Sequence, residues 1–123
     1  MIIFLKNYIV KEDSRGIMKG LVNQGKWEEL NFFSTIAGQT RGNHYHKNTD
    51  ELFIILKGKI EIEWSEVDLE RGKINILNKV FVKRGDVFII KRNTRHIFNI
   101  IEDSEWINGL SQKMGKKTPD INT

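Results

Sequence analysis

The chain has 123 residues, 39% of them hydrophobic and 29% charged, the balance of one folded domain rather than of a disordered segment. It contains no cysteine, which excludes disulfides and thiolate metal sites and makes a reducing cytoplasm the expected location. The formal charge of +4 would suit anionic partners, yet basic residues alternate with acids, as in Lys11-Glu12-Asp13 and Glu70-Arg71-Gly72-Lys73. Without a basic stripe or a recognition motif, nucleic acid is not an expected partner.

The N-terminal stretch MIIFLKNYIV is apolar but broken by Lys6, and it lacks a basic leader and a small-residue cleavage site. It predicts a first β-strand rather than a secretory signal. No stretch approaches the roughly 20 apolar residues that span a bilayer, so no membrane partner is expected. Asp13-Ser-Arg-Gly16 and Asn23-Gln-Gly-Lys26 read as turns, and Trp27 to Leu30 as a single helical turn. Short runs rich in Ile, Val, Phe and Trp follow: LNFFSTI, ELFIILK, KIEIEW, KINIL, KVFVK, DVFII and HIFNII. Turn residues separate them at Gly38–Gly42, Lys47–Asp50, Lys57–Lys59, Glu70–Lys73, Lys83–Asp86, Lys91–Arg95 and Glu102–Glu105. Several runs alternate apolar and polar, as in Ile60-Glu-Ile-Glu-Trp64, the period of a half-buried strand. Evenly spaced short strands of this kind predict an all-β sandwich or barrel, one domain spanning residues 1–123. Residues 112–123 hold the single proline, Pro119. They read as an extended tail that orders only by packing on the barrel or on a partner.

The chain spends two of its three histidines in Gly38-Gln-Thr-Arg-Gly-Asn-His-Tyr-His-Lys-Asn-Thr-Asp-Glu51. Residues i and i+2 of a strand share a face, about 6.6 Å apart. His44 and His46 can therefore aim into one cavity while Tyr45 points away. The loop Lys47–Asp50 permits a hairpin that sets Glu51 opposite the pair, and alternation then carries Phe53 and Ile55 inward as an apolar floor. His96 opens another strand just after the turn Lys91–Arg95. Three imidazoles and a carboxylate suit one divalent ion, zinc, iron, manganese, nickel or copper.

These residues resemble the signature of the cupin family. Gly38, His44, His46, Glu51 and Gly58 match its first motif (38–58) at every position. The second motif (85–99) is kept at Gly85, Asp86 and His96. Lys91, Arg92 and Asn93 replace its usual Pro-Pro-Gly turn, where Asn93 can supply the left-handed conformation of the glycine. Asn99 falls one residue earlier than the family's asparagine. The resemblance, running from Leu30 to Ser111, implies an all-β, single-domain cupin, a jelly-roll barrel.

Within that family, Arg41-Gly-Asn-His-Tyr-His-Lys47 resembles a stretch of cupins acting on nucleotide-linked sugars, including 3,4-ketoisomerases and the cupin domains of capsule-sugar enzymes. Asp13-Ser-Arg-Gly16 is similar to a turn of the same group and of the 3,5-epimerases, and Pro119-Asp-Ile121 also looks like some members. The resemblance implies proton transfer beside a keto group through an enediolate. Two versions compete. In one, His44, His46, Glu51 and His96 hold a metal ion, and Glu51 completing the ligand set favours this version. In the other, His44 or His46 is itself the base, since a histidine bound to a metal through its lone pair cannot also take a proton. Arg41, with Arg15 and Arg95 as further candidates, would meet the diphosphate of a nucleotide sugar. The alternatives are a metal-dependent oxygenase or decarboxylase with the same four ligands, and a cupin that binds sugar without changing it. The apolar first strand is an element suited to pairing with a second copy, so a homodimer is expected.

Overall fold

The computed structural model describes residues 1–68, 73–74, 77–115 and 119–123. Residues 70–72 of the turn expected at 70–73, residues 75 and 76 of the strand expected at 73–77 and residues 116–118 of the tail lie outside them. The described residues form twelve strands: β1 (Ile2–Phe4), β2 (Ile9–Asp13), β3 (Gly16–Gly20), β4 (Glu29–Thr35), β5 (Thr40–His44), β6 (Glu51–Lys57), β7 (Lys59–Asp68), β8 (Lys73–Ile74), β9 (Asn78–Lys83), β10 (Val87–Ile90), β11 (Thr94–Ile100) and β12 (Ser104–Leu110). Among the described residues no helix is long and apolar enough to cross a membrane.

Two antiparallel sheets face each other. One has the order β1-β10-β6-β12-β4; in the other β5, β11 and β7 lie side by side, with β8 and β9 paired to β7. The β2–β3 hairpin forms a separate two-stranded sheet. Alternation decides which side chains meet between the two large sheets. Phe53, Ile55, Phe88, Ile90 and Trp106 from the first pack on Ile60, Ile62, Val82, Phe98 and Ile100 from the second or the strand beside it. β6 and β10 are apolar on both faces because a second layer covers their backs. There Leu52, Val87 and Ile89 are covered by Leu5, Leu21, Val22 and Trp27. This burial also explains why no helical turn forms at Trp27. Its indole is drawn onto the sheet, Nε1–H donates to the Gln24 carbonyl at 3.0 Å, and the next residues enter β4 as early as Glu29.

The expected hairpin between the histidine pair and Glu51 does not form. β5 and β6 belong to different sheets, so loop 45–50 crosses the sandwich instead of turning back on itself. The chemistry survives because two facing sheets aim inward-pointing side chains at the same interior.

Candidate active site

A backbone irregularity brings the histidines together. β5 pairs with β11 so that Thr40, Arg41 and Gly42 face Asn99, Phe98 and Ile97, but His44 faces His96. Asn43 is the extra residue, a β-bulge in which Gly42 (φ 97°) and Asn43 (φ 65°) both adopt left-handed conformations. A Cβ at residue 42 would stand 2.8 Å from the His96 carbonyl, which leaves that position to glycine. Were Asn43 to continue the regular pairing instead, it would take the place opposite His96, and His44 would oppose Arg95 and leave by the other face. With it, the His44 and His96 ring centroids lie 4.9 Å apart, and those of His44 and His46 also 4.9 Å.

Glu51, His46 and His96 are each 5% exposed or less, so hydrogen bonds rather than water set their charge states. The His46 Nδ1–H donates to the Asp120 carbonyl, and its Nε2 meets a Glu51 carboxylate oxygen. Asn108 Nδ2 donates to the other Glu51 oxygen at 3.0 Å. His96 Nδ1 faces the Thr94 carbonyl at 3.0 Å, which turns its Nε2 toward Glu51 at 3.6 Å. Burial opposes ionisation of both Glu51 and His46, but their mutual hydrogen bond and charge outweigh it. The Glu51 pKa is held below its ordinary value and that of His46 above, so the two form an ion pair. Burial lowers the His96 pKa. Burial, then the neighbouring His96, pushes that of His44 down to about 4. His44 is the one of the three whose ring nitrogens have no hydrogen-bond partner among the described residues.

The four side chains also fit a metal ion. One ligand atom from each of His44, His46, Glu51 and His96 lies within 4.8 Å of all the others. Ligands about 2.0–2.2 Å from a shared ion stand at most about 4.4 Å apart, so the set needs only a slight contraction. The carbonyls that hold His46 and His96 by Nδ1 are the kind of support that orients ligating imidazoles.

The second-motif turn is fastened to the first motif. The Asn93 N–H donates to the His46 carbonyl at 2.6 Å, and Asn93 takes the left-handed conformation expected of it (φ 64°). Asp50 accepts from Lys91 Nζ at 3.0 Å and from the Arg92 N–H at 2.9 Å. Lys91 and Arg92 thus brace the loop carrying Glu51. The tail packs on the barrel: Tyr45 and Asn122 exchange backbone hydrogen bonds of 2.9 and 3.0 Å.

The cluster lies in a cavity of about 490 Å³. Its apolar wall is Phe53, Phe98, Trp106 and Phe33, the last stacked on Trp106 with centroids 5.3 Å apart. Arg41 lines it as well, its guanidinium 5.2 Å over the Phe33 ring and its Nε donating to Thr35 Oγ1 at 2.8 Å. Arg95 and Arg15 do not line it. Arg95 donates to the Thr123 carbonyl and to Asn43 Oδ1, and Arg15 pairs with Asp13 at 2.7 Å on the exposed β2–β3 turn. Trp106 is at once core and cavity wall. The sequence reading missed Glu29, Asn31 and Asn108, which form a polar chain along the wall to Glu51. Their signal was an asparagine at the inward phase of Ser104, Trp106, Asn108 and Leu110 in an otherwise apolar strand.

Strands arranged in this way around an inward-facing three-histidine, one-glutamate cluster define a cupin. The family model for the polysaccharide biosynthesis C-terminal domain matches residues 11–107, and the chain belongs to that family. The fold is shared with a 3,4-ketoisomerase from Helicobacter canadensis (TM-score 0.75, 17% identity), over 98% of this chain and 87% of that one. A dTDP-4-dehydrorhamnose 3,5-epimerase from Sulfolobus tokodaii aligns with TM-score 0.72 and 18% identity, over 88% and 69%. The capsular polysaccharide assembling protein CapF of Staphylococcus aureus aligns with TM-score 0.68 and 20% identity, over 92% of this chain and only 30% of CapF. No curated protein matches the sequence.

Proposed function

We propose that the protein is an isomerase or epimerase that moves a proton α to the carbonyl of a nucleotide-linked keto sugar, in the cytoplasm and in the service of surface polysaccharide assembly. The observation that carries this reading is the cavity itself. It gathers every histidine of the chain and a buried carboxylate, with Arg41 on its wall for a diphosphate and an aromatic wall for a sugar face. Family membership and fold neighbours that include a ketoisomerase and an epimerase support it. Arg15 and Arg95, already paired within the chain, are secondary phosphate candidates.

A divalent ion on His44, His46, Glu51 and His96 would polarise the keto oxygen as a Lewis acid. The chain's own residues favour a second version. His46 is committed to Asp120 and Glu51, and His96 to Thr94, whereas His44 keeps a neutral imidazole with a free lone pair facing the cavity. In this version His44 takes the proton from the carbon beside the carbonyl, and the C–H electron pair becomes the enediolate double bond. The charge of the His46 imidazolium, whose N–H groups stay on Asp120 and Glu51, stabilises the oxyanion through space. The proton returns to the opposite face of the same carbon, or to the former carbonyl carbon, in which case the neighbouring hydroxyl gives its proton to the former keto oxygen.

The test is incubation with dTDP-4-keto-6-deoxyglucose in D2O, followed by proton NMR. Deuterium entering a carbon next to the carbonyl is the expected result; neither exchange nor conversion would overturn the reading. Metal content separates the versions. The four-ligand reading expects about one equivalent of divalent ion in untagged protein purified without chelator, lost in His46→Ala. Fully active protein free of metal would sink it and leave the acid–base version.

We further propose a homodimer. β1 ends its sheet with an open edge, and Ile3 and Phe4 on it are 37% and 48% exposed. Light scattering should give twice the 14.4 kDa of one chain. A monomer at micromolar concentration would refute it.

A further inference from the structure

The tail after Pro119 reaches the site from 74 residues away in sequence and makes two kinds of contact there. Its backbone supplies the acceptor for His46, since the Asp120 carbonyl takes the Nδ1–H. Its side chain grips the loop that carries His46 toward Glu51. One Asp120 carboxylate oxygen accepts from the Lys47 N–H at 3.0 Å, and the other from the Asn48 N–H at 2.8 Å and Thr49 Oγ1 at 2.9 Å. Thr49 is 1% exposed, so this grip lies partly inside the molecule. Around it the strap is fastened by the Tyr45–Asn122 bridge and by Arg95 on the Thr123 carbonyl, while Ile121 lines the cavity. The Asp120 N–H is itself satisfied by the Met114 sulfur at 3.0 Å.

We propose that Asp120 is a positioning residue. Its carboxylate locks loop 47–49, and its carbonyl thereby fixes the proton of His46 on Nδ1 and keeps Nε2 turned to Glu51. With Nδ1–H held by that carbonyl the ring orientation is fixed, so Nε2 is the nitrogen presented to Glu51, as the second N–H of the imidazolium, or to a metal ion as a lone pair once that proton is lost. A carboxylate accepting three hydrogen bonds from one loop is a rigid clamp, and each charge-assisted bond is about twice as strong as a neutral one. The proposal rests on the functional reading of this site, but its test needs neither substrate nor metal.

Nitrogen-15 NMR of the histidine rings reads the effect directly, in the full chain, in Asp120→Ala, in Asp120→Asn and in a chain ending at residue 118. In the wild type the His46 Nδ1 should give the shift of a protonated nitrogen held in a hydrogen bond. In Asp120→Ala and in the shortened chain it should move away from that shift as Nδ1 loses its fixed acceptor, while the His96 signals stay fixed and show that the barrel is intact. Asp120→Asn, which keeps an acceptor oxygen, should restore part of the wild-type signal. A role in stability alone would lower the melting temperature and leave the His46 shifts where they were; that result overturns the proposal. Should Asp120→Ala fail to fold, the same comparison is decided by Asp120→Asn and the shortened chain.

Discussion

Replacing His44 by glutamine should reduce deuterium exchange into the keto sugar by about 10²–10⁴-fold, the usual worth of a positioned base, and leave thermal unfolding unchanged. The side chain is half-buried, lines the cavity and has no hydrogen bond among the described residues to lose, so its removal costs the fold little. It is also the member of the cluster best suited to accept a proton. Its pKa, pushed down to about 4 by burial and by His96, leaves the imidazole neutral at pH 7. The charge developing on the enediolate then favours the imidazolium as the proton moves. Wild-type exchange in the variant would exclude His44 as base. Exchange and metal lost together would make it a ligand instead.

Phe88→Ala should cost about 3–5 kcal/mol, the range for emptying a fully packed aromatic site, and lower the melting temperature by about 10–20 °C. Phe88 is 0% exposed and lies where the core is most aromatic. Its ring centroid is 5.2 Å from that of Phe53, which it stacks on, and 5.4 Å from that of Phe4 on β1. Neighbours held in two hydrogen-bonded sheets cannot collapse into the vacated space, so the cavity persists. Because β10 lies between β1 and β6, the loss would also loosen the edge strand proposed for dimer contact. Urea unfolding is the direct measurement. A shift below about 1 kcal/mol would mean that the sheets close over the gap, and would contradict the rigid packing described above.

The parts of the site that lie close in sequence were legible from it. His44, His46 and Glu51 declare themselves by spacing, and the strand runs by period and by the turn residues between them. Asn93 takes the left-handed conformation that its replacement of a glycine implies. What escaped depends on contacts across the fold. The loop Lys47–Asp50 has the length of a hairpin, and nothing in its residues states that β5 and β6 join different sheets. Trp27 looked helical because its burial on β6 and β10 is a tertiary fact. Asn108 serves Glu51 from 57 positions away and Asp120 serves His46 from 74, distances at which local pattern is silent. Arg15, in a turn similar to the family's, and Arg95, beside His96, carry the charge a diphosphate needs, but neither position says that Asp13 and Asn43 already hold them.

The extra residue at Asn43 has a consequence of a different kind. A strand is a device with odd and even positions, and a side chain cannot change sides without changing its parity. Gathering donors from β5 and β11 on one side of the sheet therefore required a correction of one count, which the chain makes with two left-handed residues just before His44. A substitution elsewhere on β5 alters one side chain. A residue gained between Arg41 and His44, with no second bulge to absorb it, would reverse the sense of every position from there to the next anchored point, whereas a loss would remove the bulge and the left-handed pair that makes it. For this site, length between landmarks is as strict an inheritance as the identity of the landmarks.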